Sequence, residues 1–426
     1  MKSGKAQKTI VIIGGGAAGM IAAWRAGVAG ATVILLEKNS KLGLKLLISG
    51  GGKCNITHAG NMKEMGACFR IHESRFLKYS FHEFTNGQLL GQLEHLGVET
   101  YVREDGRIFP RSGKAGDVVH ALRRLMERSG VEIRLSNPVE EIILEGKEVC
   151  AVRTAGELIP TAQVVVATGG LSFPKTGTTG DGFRWLRELG HHIVPPRPAL
   201  APVHLSPPPP AEWQGVALRD CAVSCEAEGK KRAGARGDLL LTHRGISGPA
   251  ALEVSKEAFI AFEQHSSIDI VVDLKPERSH EELDKDIQME ISSNGTRNLD
   301  TLIDQFAPRR LVSFILASAK IDGRIKCHQV KREDRRKIIE TIKHWKLGTV
   351  KEIPLDGGEV TAGGVDLQEV DPKTMRSRIV KGLYVCGEVL DIAGPIGGYN
   401  LQAAFSTGYV AGESAGKEAA NGGGLE

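Results

Sequence analysis

Three glycines near the start of the chain, Gly14, Gly16 and Gly19, stand at G-x-G-x-x-G spacing directly after the apolar, β-branched run Thr9-Ile-Val-Ile-Ile13. Each has a separate task in holding a pyrophosphate. Gly14 permits a tight strand-to-helix turn, Gly16 lets a phosphate approach the backbone, and Gly19 lets the helix pack close to the strand. The N–H groups at the start of the following helix offer a place for the negative charge. A second apolar run from Ala31 ends in Glu37, about twenty residues beyond the glycines, where a ribose diol needs an acceptor. Strand, glycine turn, helix, second strand and terminal acid come in that order. They predict a dinucleotide site rather than a plain glycine turn in an α/β core.

More chemistry lies in Lys38–Thr57. Gly50, Gly51 and Gly52 follow a short apolar run and precede Lys53, Cys54 and Asn55. Backbone amides of such a loop can form an anion-binding nest, with Lys45 or Lys53 neutralising a phosphate. The plainer alternative is a mobile surface loop. Cys54 has no partner cysteine nearby, so packing or lining a cofactor is expected of it rather than redox chemistry. Gln163–Val166 reads as a buried parallel strand whose tip, Thr168-Gly169-Gly170, abuts a ligand. Near the C-terminus, Gly382–Glu388 reads as a strand tipped by Gly387 and Glu388. Gly398–Ala404, with Asn400 and Leu401, opens a helix rich in small residues.

Composition sets the frame for these pieces. A chain of 426 residues has room for roughly two or three domains. Its 41% hydrophobic and 25% charged residues are ordinary globular usage. A net charge of +4 gives little reason to expect nucleic acid or an acidic membrane as a partner. The seven scattered cysteines argue for a reducing compartment. Cys221 and Cys225 lack a histidine-rich partner stretch, so no metal site is expected. Met1–Lys8 is short and basic, the run after it reads as a core strand rather than a signal peptide, and no apolar run approaches the ~20 residues that span a bilayer. A cytoplasmic location is the expectation.

The prolines of 192–210 cannot sustain a helix or a central strand and read as a stiff connector. Beyond it come strand-like pieces at Ala222–Ala227, Asp238–Thr242 and Ile268–Leu274, then a helical stretch over Pro276–Lys346. Lys331–Lys337 interleaves bases with acids and no aromatics, the pattern of a solvated helix face. The dinucleotide domain is expected to resume near Val350.

Several blocks resemble the HI0933-like family of FAD-dependent flavoproteins, which includes aminoacetone oxidases and bile-acid-pathway reductases. They are Gly14–Gly19, Glu37-Lys38, Ser49–Asn55, Gly106–Val119, Leu241–Pro249, Gly382–Asp391 and Gly397–Gln402. Lys53 departs from the arginine more usual there, keeping the charge and losing the bidentate fork. The resemblance implies an α/β fold: a two-dinucleotide-binding-type Rossmann-like FAD domain, split by an inserted β-barrel-like and α-helical module. The boundaries expected are 1–194 and 348–426 for the FAD domain, 195–276 for the β-rich insert and 277–347 for the helical insert. It adds Ala18, Lys38 and a backbone group near Val139 to the cofactor contacts. It also implies that Glu388 meets the ribityl chain and that the helix after Gly398 faces the flavin's pyrimidine side. Attachment is expected to be non-covalent, since the Ser49–Asn55 loop has no histidine.

The expected activity is hydride transfer between FAD and a small organic substrate, with NAD(P)H or dioxygen as redox partner. His243 and Arg244 are the candidate catalytic pair, a polar group and an anion-binding group delivered by the insert, although a lone His-Arg in a loop is commonly structural. An RNA-modifying flavoenzyme and a non-catalytic flavin-binding protein remain open alternatives.

Overall fold

The computed structural model describes residues 9–421, and the basic Met1–Lys8 start lies outside them. The chain divides into two compact units, one formed by residues up to 197 together with those from 359, the other by residues 198–358.

The first unit is built on β1 (Thr9–Ile13), followed by α1 (Ala17–Val28) and β2 (Thr32–Leu36). Three later segments join their sheet or lie by it: β3 (Glu132–Arg134), β4 (Gln163–Val166) and β5 (Val360–Val365). The C-terminal part adds β6 (Leu383–Val385) and the long helix α2 (Tyr399–Ala420). The sheet has five parallel strands in the order β6-β4-β1-β2-β3, with Ile12 opposite both Leu35 and Val165. Ile10–Ile13 and Val164–Val166 are buried throughout. Such unbroken β-branched runs suit strands covered on both faces.

Helix α1 is buried over most of its circumference, including Ala18, Met20, Ile21, Ala22, Ala23 and Ala26. That pattern belongs to a helix held between other elements rather than an amphipathic surface one. On its far side lies α2, whose glycines recur every four residues and so line one face. A Cβ at Gly408 would lie 2.3 Å from Ala18 O, one at Gly412 2.1 Å from Ala22 O, and one at Gly416 3.0 Å from Ala26 O. Backbone therefore meets backbone along the crossing, a spacing that only glycine permits.

The second unit contains a closed six-stranded barrel. Its strands are Val203–Ser206, Ala217–Ala227, Lys230–Leu241, Gly245–Ser247, Asp269–Asp273 and Trp345–Glu352. Alternate residues fill the interior, as in the run Cys221, Val223, Cys225. Helices His280–Ser293, Leu299–Ile303, Arg309–Ala319 and Arg332–Lys343 share one apolar cluster with the barrel through Leu283, Leu302, Ile315 and Ile339. Lys331, Arg332, Arg336 and Lys337 are exposed while Ile338, Ile339 and Ile342 of the same helix are buried.

Two expectations need correction. Val350 does not begin the return to the first unit: it pairs with Leu205 in the strand that closes the barrel. The return comes at Glu359. The proline-rich connector contains a strand, Ile193–Ala199, paired with β5 in a sheet of two. A two-stranded pairing leaves one edge of each strand unbonded, which is where prolines are tolerated in a sheet. Helix Pro249–Gln264 lies between two of the strand-like pieces, and it starts with proline at its first turn, where that residue is favoured.

Replacing Gly412 by leucine drives a side chain into the Ala22 carbonyl and separates α1 from α2. Overpacking of this kind costs about 2–3 kcal/mol, roughly 5–10 °C in Tm for a unit of this size. Thermal unfolding of Gly412→Leu against Gly412→Ala, the smaller insult, checks it.

Candidate dinucleotide site

The glycine turn lies between the end of β1 and the start of α1. Gly14 has φ +105°, and a Cβ there would lie 2.6 Å from Ala167 O, while one at Gly19 would lie 1.8 Å from Gly14 O. The protein's own packing therefore demands both glycines. Gly16 differs: its backbone is extended, at φ −84° and ψ −167°, and a Cβ there would meet nothing within 4 Å. Neither conformation nor packing requires a glycine at that position. The space in front of it fits a group from outside the chain, as close approach by a pyrophosphate requires. Helix α1 begins without a side-chain cap and without an acid in its first turn, so its first-turn N–H groups are left for a ligand.

Glu37, at the tip of β2, is buried and tied to this turn. Its Oε2 accepts from Gly15 N at 2.7 Å, and its Oε1 accepts from Asn39 N at 2.8 Å and Asn39 Nδ2 at 2.6 Å. A carboxylate offers about four acceptor positions, which leaves one for a ribose hydroxyl. Ala18, two residues beyond Gly16, abuts Gly387, where an added Cβ would lie 2.7 Å from the Ala18 Cβ. Lys38 reaches across to Asp181 at 2.6 Å and Thr179 at 2.5 Å, fixing the Thr178–Asp181 loop beside the acid.

A second polar cluster gathers at Glu388, after β6. Lys45 Nζ donates to Glu388 Oε2 at 2.6 Å, Glu388 Oε1 at 2.8 Å and Ser172 Oγ at 2.6 Å. Thr361 N donates to Glu388 Oε1 at 2.9 Å, and Thr361 Oγ1 accepts from Leu171 N and Ser172 N. Lys45 is thus committed to Glu388 rather than to the glycine loop. Gly169 beside this cluster has φ +73°, and the buried Thr168 hydroxyl lies under Gly182 without a hydrogen-bond partner among the described residues. Sequence reasoning missed Ser172, in the loop after β4, and Thr361, in β5, because a lone hydroxyl carries no local signal of its partner.

The Gly50–Gly52 loop is exposed, with three successive positive φ values of 56°, 67° and 83°, and Lys53 beside it is exposed too. Cys54 is buried, and burial pushes its thiol up to about 12, with a hydrogen bond from Ser49 acting in the opposite direction. It is therefore a protonated thiol at neutral pH, not a reactive thiolate. Asn55 links this loop to the start of α2: it donates to Thr57 O at 3.1 Å and accepts from Gly398 N at 3.0 Å. Asn400 holds the preceding loop, accepting from Gly394 N at 2.8 Å and donating to Gly394 O and Pro395 O. Leu401 packs on the core, and Gln402, another missed residue, accepts from Thr57 Oγ1 at 2.7 Å. Gly387 has φ +79° and donates to Thr407 Oγ1 on α2. Val139 opens the strand Val139–Glu145, half-buried and opposite Thr154.

One unit thus brings together the glycine turn, Glu37, the Lys45–Glu388 pair and the start of α2. His243 and Arg244 belong to the other unit, in an exposed turn of the barrel where Leu205 N donates to Arg244 O at 2.8 Å. The open space at Gly16 makes Gly16→Ala a sharp test. The added methyl should leave Tm within about 1 °C, as exposed substitutions do. It should weaken binding of FAD, the cofactor implied by the resemblance, by about tenfold or more, on the order of 1.4 kcal/mol. Thermal unfolding and equilibrium titration of both proteins with FAD check the two halves.

The chain is similar to known proteins over nearly its whole length. The chain is 31% identical over 408 residues to a 3-dehydro-bile acid delta(4,6)-reductase of Clostridium scindens, covering 95% of this chain and 98% of that one. It is 30% identical over 403 residues to a ribosomal RNA dihydrouridine synthase of Haemophilus influenzae, covering 94% and 96%. Among solved structures, a quinol fumarate reductase of E. coli shares the fold, with a TM-score of 0.53 and 17% identity over 98% of this chain and 72% of that one. The family model for the HI0933-like protein Rossmann domain matches residues 8–414, and the chain belongs to that family.

Proposed function

We propose that the protein is an FAD-dependent oxidoreductase that saturates a carbon–carbon double bond conjugated to a carbonyl, drawing its electrons from NAD(P)H. The observation that carries this reading is full-length similarity to two enzymes whose names share that chemistry. One is a delta(4,6)-reductase of a 3-dehydro-bile acid and the other forms dihydrouridine in ribosomal RNA. Bound FAD supplies a hydride acceptor and donor. The chain supplies the binding: amides at the start of α1 for the pyrophosphate, Glu37 for a ribose, and Glu388, braced by Lys45, for the ribityl hydroxyls. With FAD bound, the start of α2 would offer the positive end of a helix dipole to the flavin's pyrimidine side.

The substrate is read as a small organic enone. The similarity to the ribosomal RNA enzyme favours a second reading, in which the double bond is that of a uracil base held in RNA. Salt separates the two. Phosphate contacts make RNA binding fall steeply as salt rises, while a small neutral enone is indifferent to it.

The test is an anaerobic titration of the purified protein with NADH and NADPH, followed by addition of a 3-oxo-4,6-diene steroid or a uridine-containing ribosomal RNA fragment. Oxidised-flavin absorbance should bleach with the nicotinamide and return with one of the two substrates. Return with dioxygen alone would mark an oxidase instead, and a protein that takes up no flavin would end the proposal.

A further inference from the structure

A cavity of about 280 Å³ lies toward the other end of α1 from the glycine turn. Trp24 and Arg25 form part of its lining, and Arg25 stands nine residues beyond Gly16, about 13 Å along the helix axis. Phe84 and Tyr409 continue this aromatic wall. Their rings stack with centroids 4.6 Å apart and 7° from parallel, and the Arg25 guanidinium sits over Tyr409 at 4.5 Å. Helix Asn86–His95 adds Gln88, Gly91 and Gln92, which share one face at i, i+3 and i+4 spacing. All of these residues belong to the first unit, and none has a part in the dinucleotide site.

The fold alone leaves three features of this cavity unexplained. Gly91 lies inside a helix with no left-handed φ, where glycine is less favourable than alanine. A Cβ there would meet nothing within 4 Å, so neither conformation nor packing asks for glycine. What its absent side chain does is keep the cavity open. Arg25 is held at Nη2 by Glu413, while its Nε is buried without a hydrogen-bond partner among the described residues. The third feature is unused amide capacity. Gln88 Oε1 accepts from Thr85 N at 2.8 Å, which leaves its NH2 group unused, and the Gln92 amide has no hydrogen bond among the described residues.

We propose that this cavity binds a nucleobase, with adenine the best match, carried by a free nucleoside or by an RNA strand. Aromatic rings and guanidinium planes are what unstacked bases pack against. Gln92 offers a donor and an acceptor side by side, the pair that meets N7 and N6–H of adenine, and the Gln88 NH2 group adds a donor for a further ring nitrogen. The charge of Arg25 is met by Glu413, so a neutral ring suits the cavity better than a carboxylate or a phosphate. Its volume falls just under the ~300–1,000 Å³ of pockets that take drug-sized ligands, which suits one ring system rather than a dinucleotide. The site is independent of the reductase reading, since none of its residues is asked to touch the flavin.

The test is calorimetric titration of protein loaded with FAD and freed of the excess, so that the dinucleotide site is filled and no other adenine is in solution. Adenosine and a short oligoadenylate RNA are the probes, and saturable binding of at least one is expected. Adenosine binding that is indifferent to salt assigns the site to free nucleosides. Tighter binding of the RNA that weakens steeply with salt assigns it to a base in a strand. Gly91→Leu, which fills the cavity, should lower affinity by about tenfold or more. Its Tm should not fall below that of wild type, since leucine is the better helix former. Gln92→Leu keeps the bulk, removes the amide and should lower affinity to a similar extent; it carries the test if Gly91→Leu does not fold. Both variants should bind FAD as wild type does. The proposal is overturned if millimolar adenosine and the RNA both fail to bind saturably, or if either folded variant keeps wild-type affinity to within about twofold.

Discussion

The first unit depends on how closely α2 can lie on α1. Three glycines on α2 meet the carbonyls or backbone of Ala18, Ala22 and Ala26, so two helices from opposite ends of the chain cross with almost no side-chain layer between them. At that separation dispersion contacts along both backbones add up, and weak Cα–H···O contacts become available. The consequence is positional. Held against α1, α2 also packs near Gly387, whose N–H it receives on Thr407. The glycine turn and the acid after β6 are thereby fixed within one unit.

Charge in this unit is organised around pairs that bridge distant segments. Lys45 and Glu388 are 343 residues apart, and Lys38 and Asp181 are 143 apart. Partly buried ion pairs contribute little net stability unless additional hydrogen bonds compensate for lost water. Glu388 meets that condition, accepting from Lys45, Ser172 and Thr361 N. Its carboxylate is held in place before any ligand arrives, which lowers the ordering cost of binding.

The second unit follows a different logic. Its barrel closes on itself, so it has no open sheet edge. The strand Trp345–Glu352 completes that closure after the helices have been threaded. Barrel and helices bury one shared cluster, so the β-rich and helical stretches that differ in composition form one compact body. His243 and Arg244 sit on this body as an exposed turn, with backbone bonds as their main anchors.

The sequence by itself determined the parts whose chemistry is local. The glycine spacing, the apolar run before it, the acid after β2 and the small-residue helix at the C-terminus are each set by neighbours within a few residues, through backbone conformation and burial periodicity. Legible too were the parallel strand at Gln163–Val166 and the helical stretch after Pro276. Only the tertiary structure decided which lysine meets which acid, that Ser172 and Thr361 brace Glu388, and that Asn55 receives Gly398 N. The same holds for the return to the first unit, at Glu359 rather than Val350. Those choices depend on segments brought together across hundreds of residues, where side-chain reach and the geometry of chain closure, rather than local propensity, select the partner.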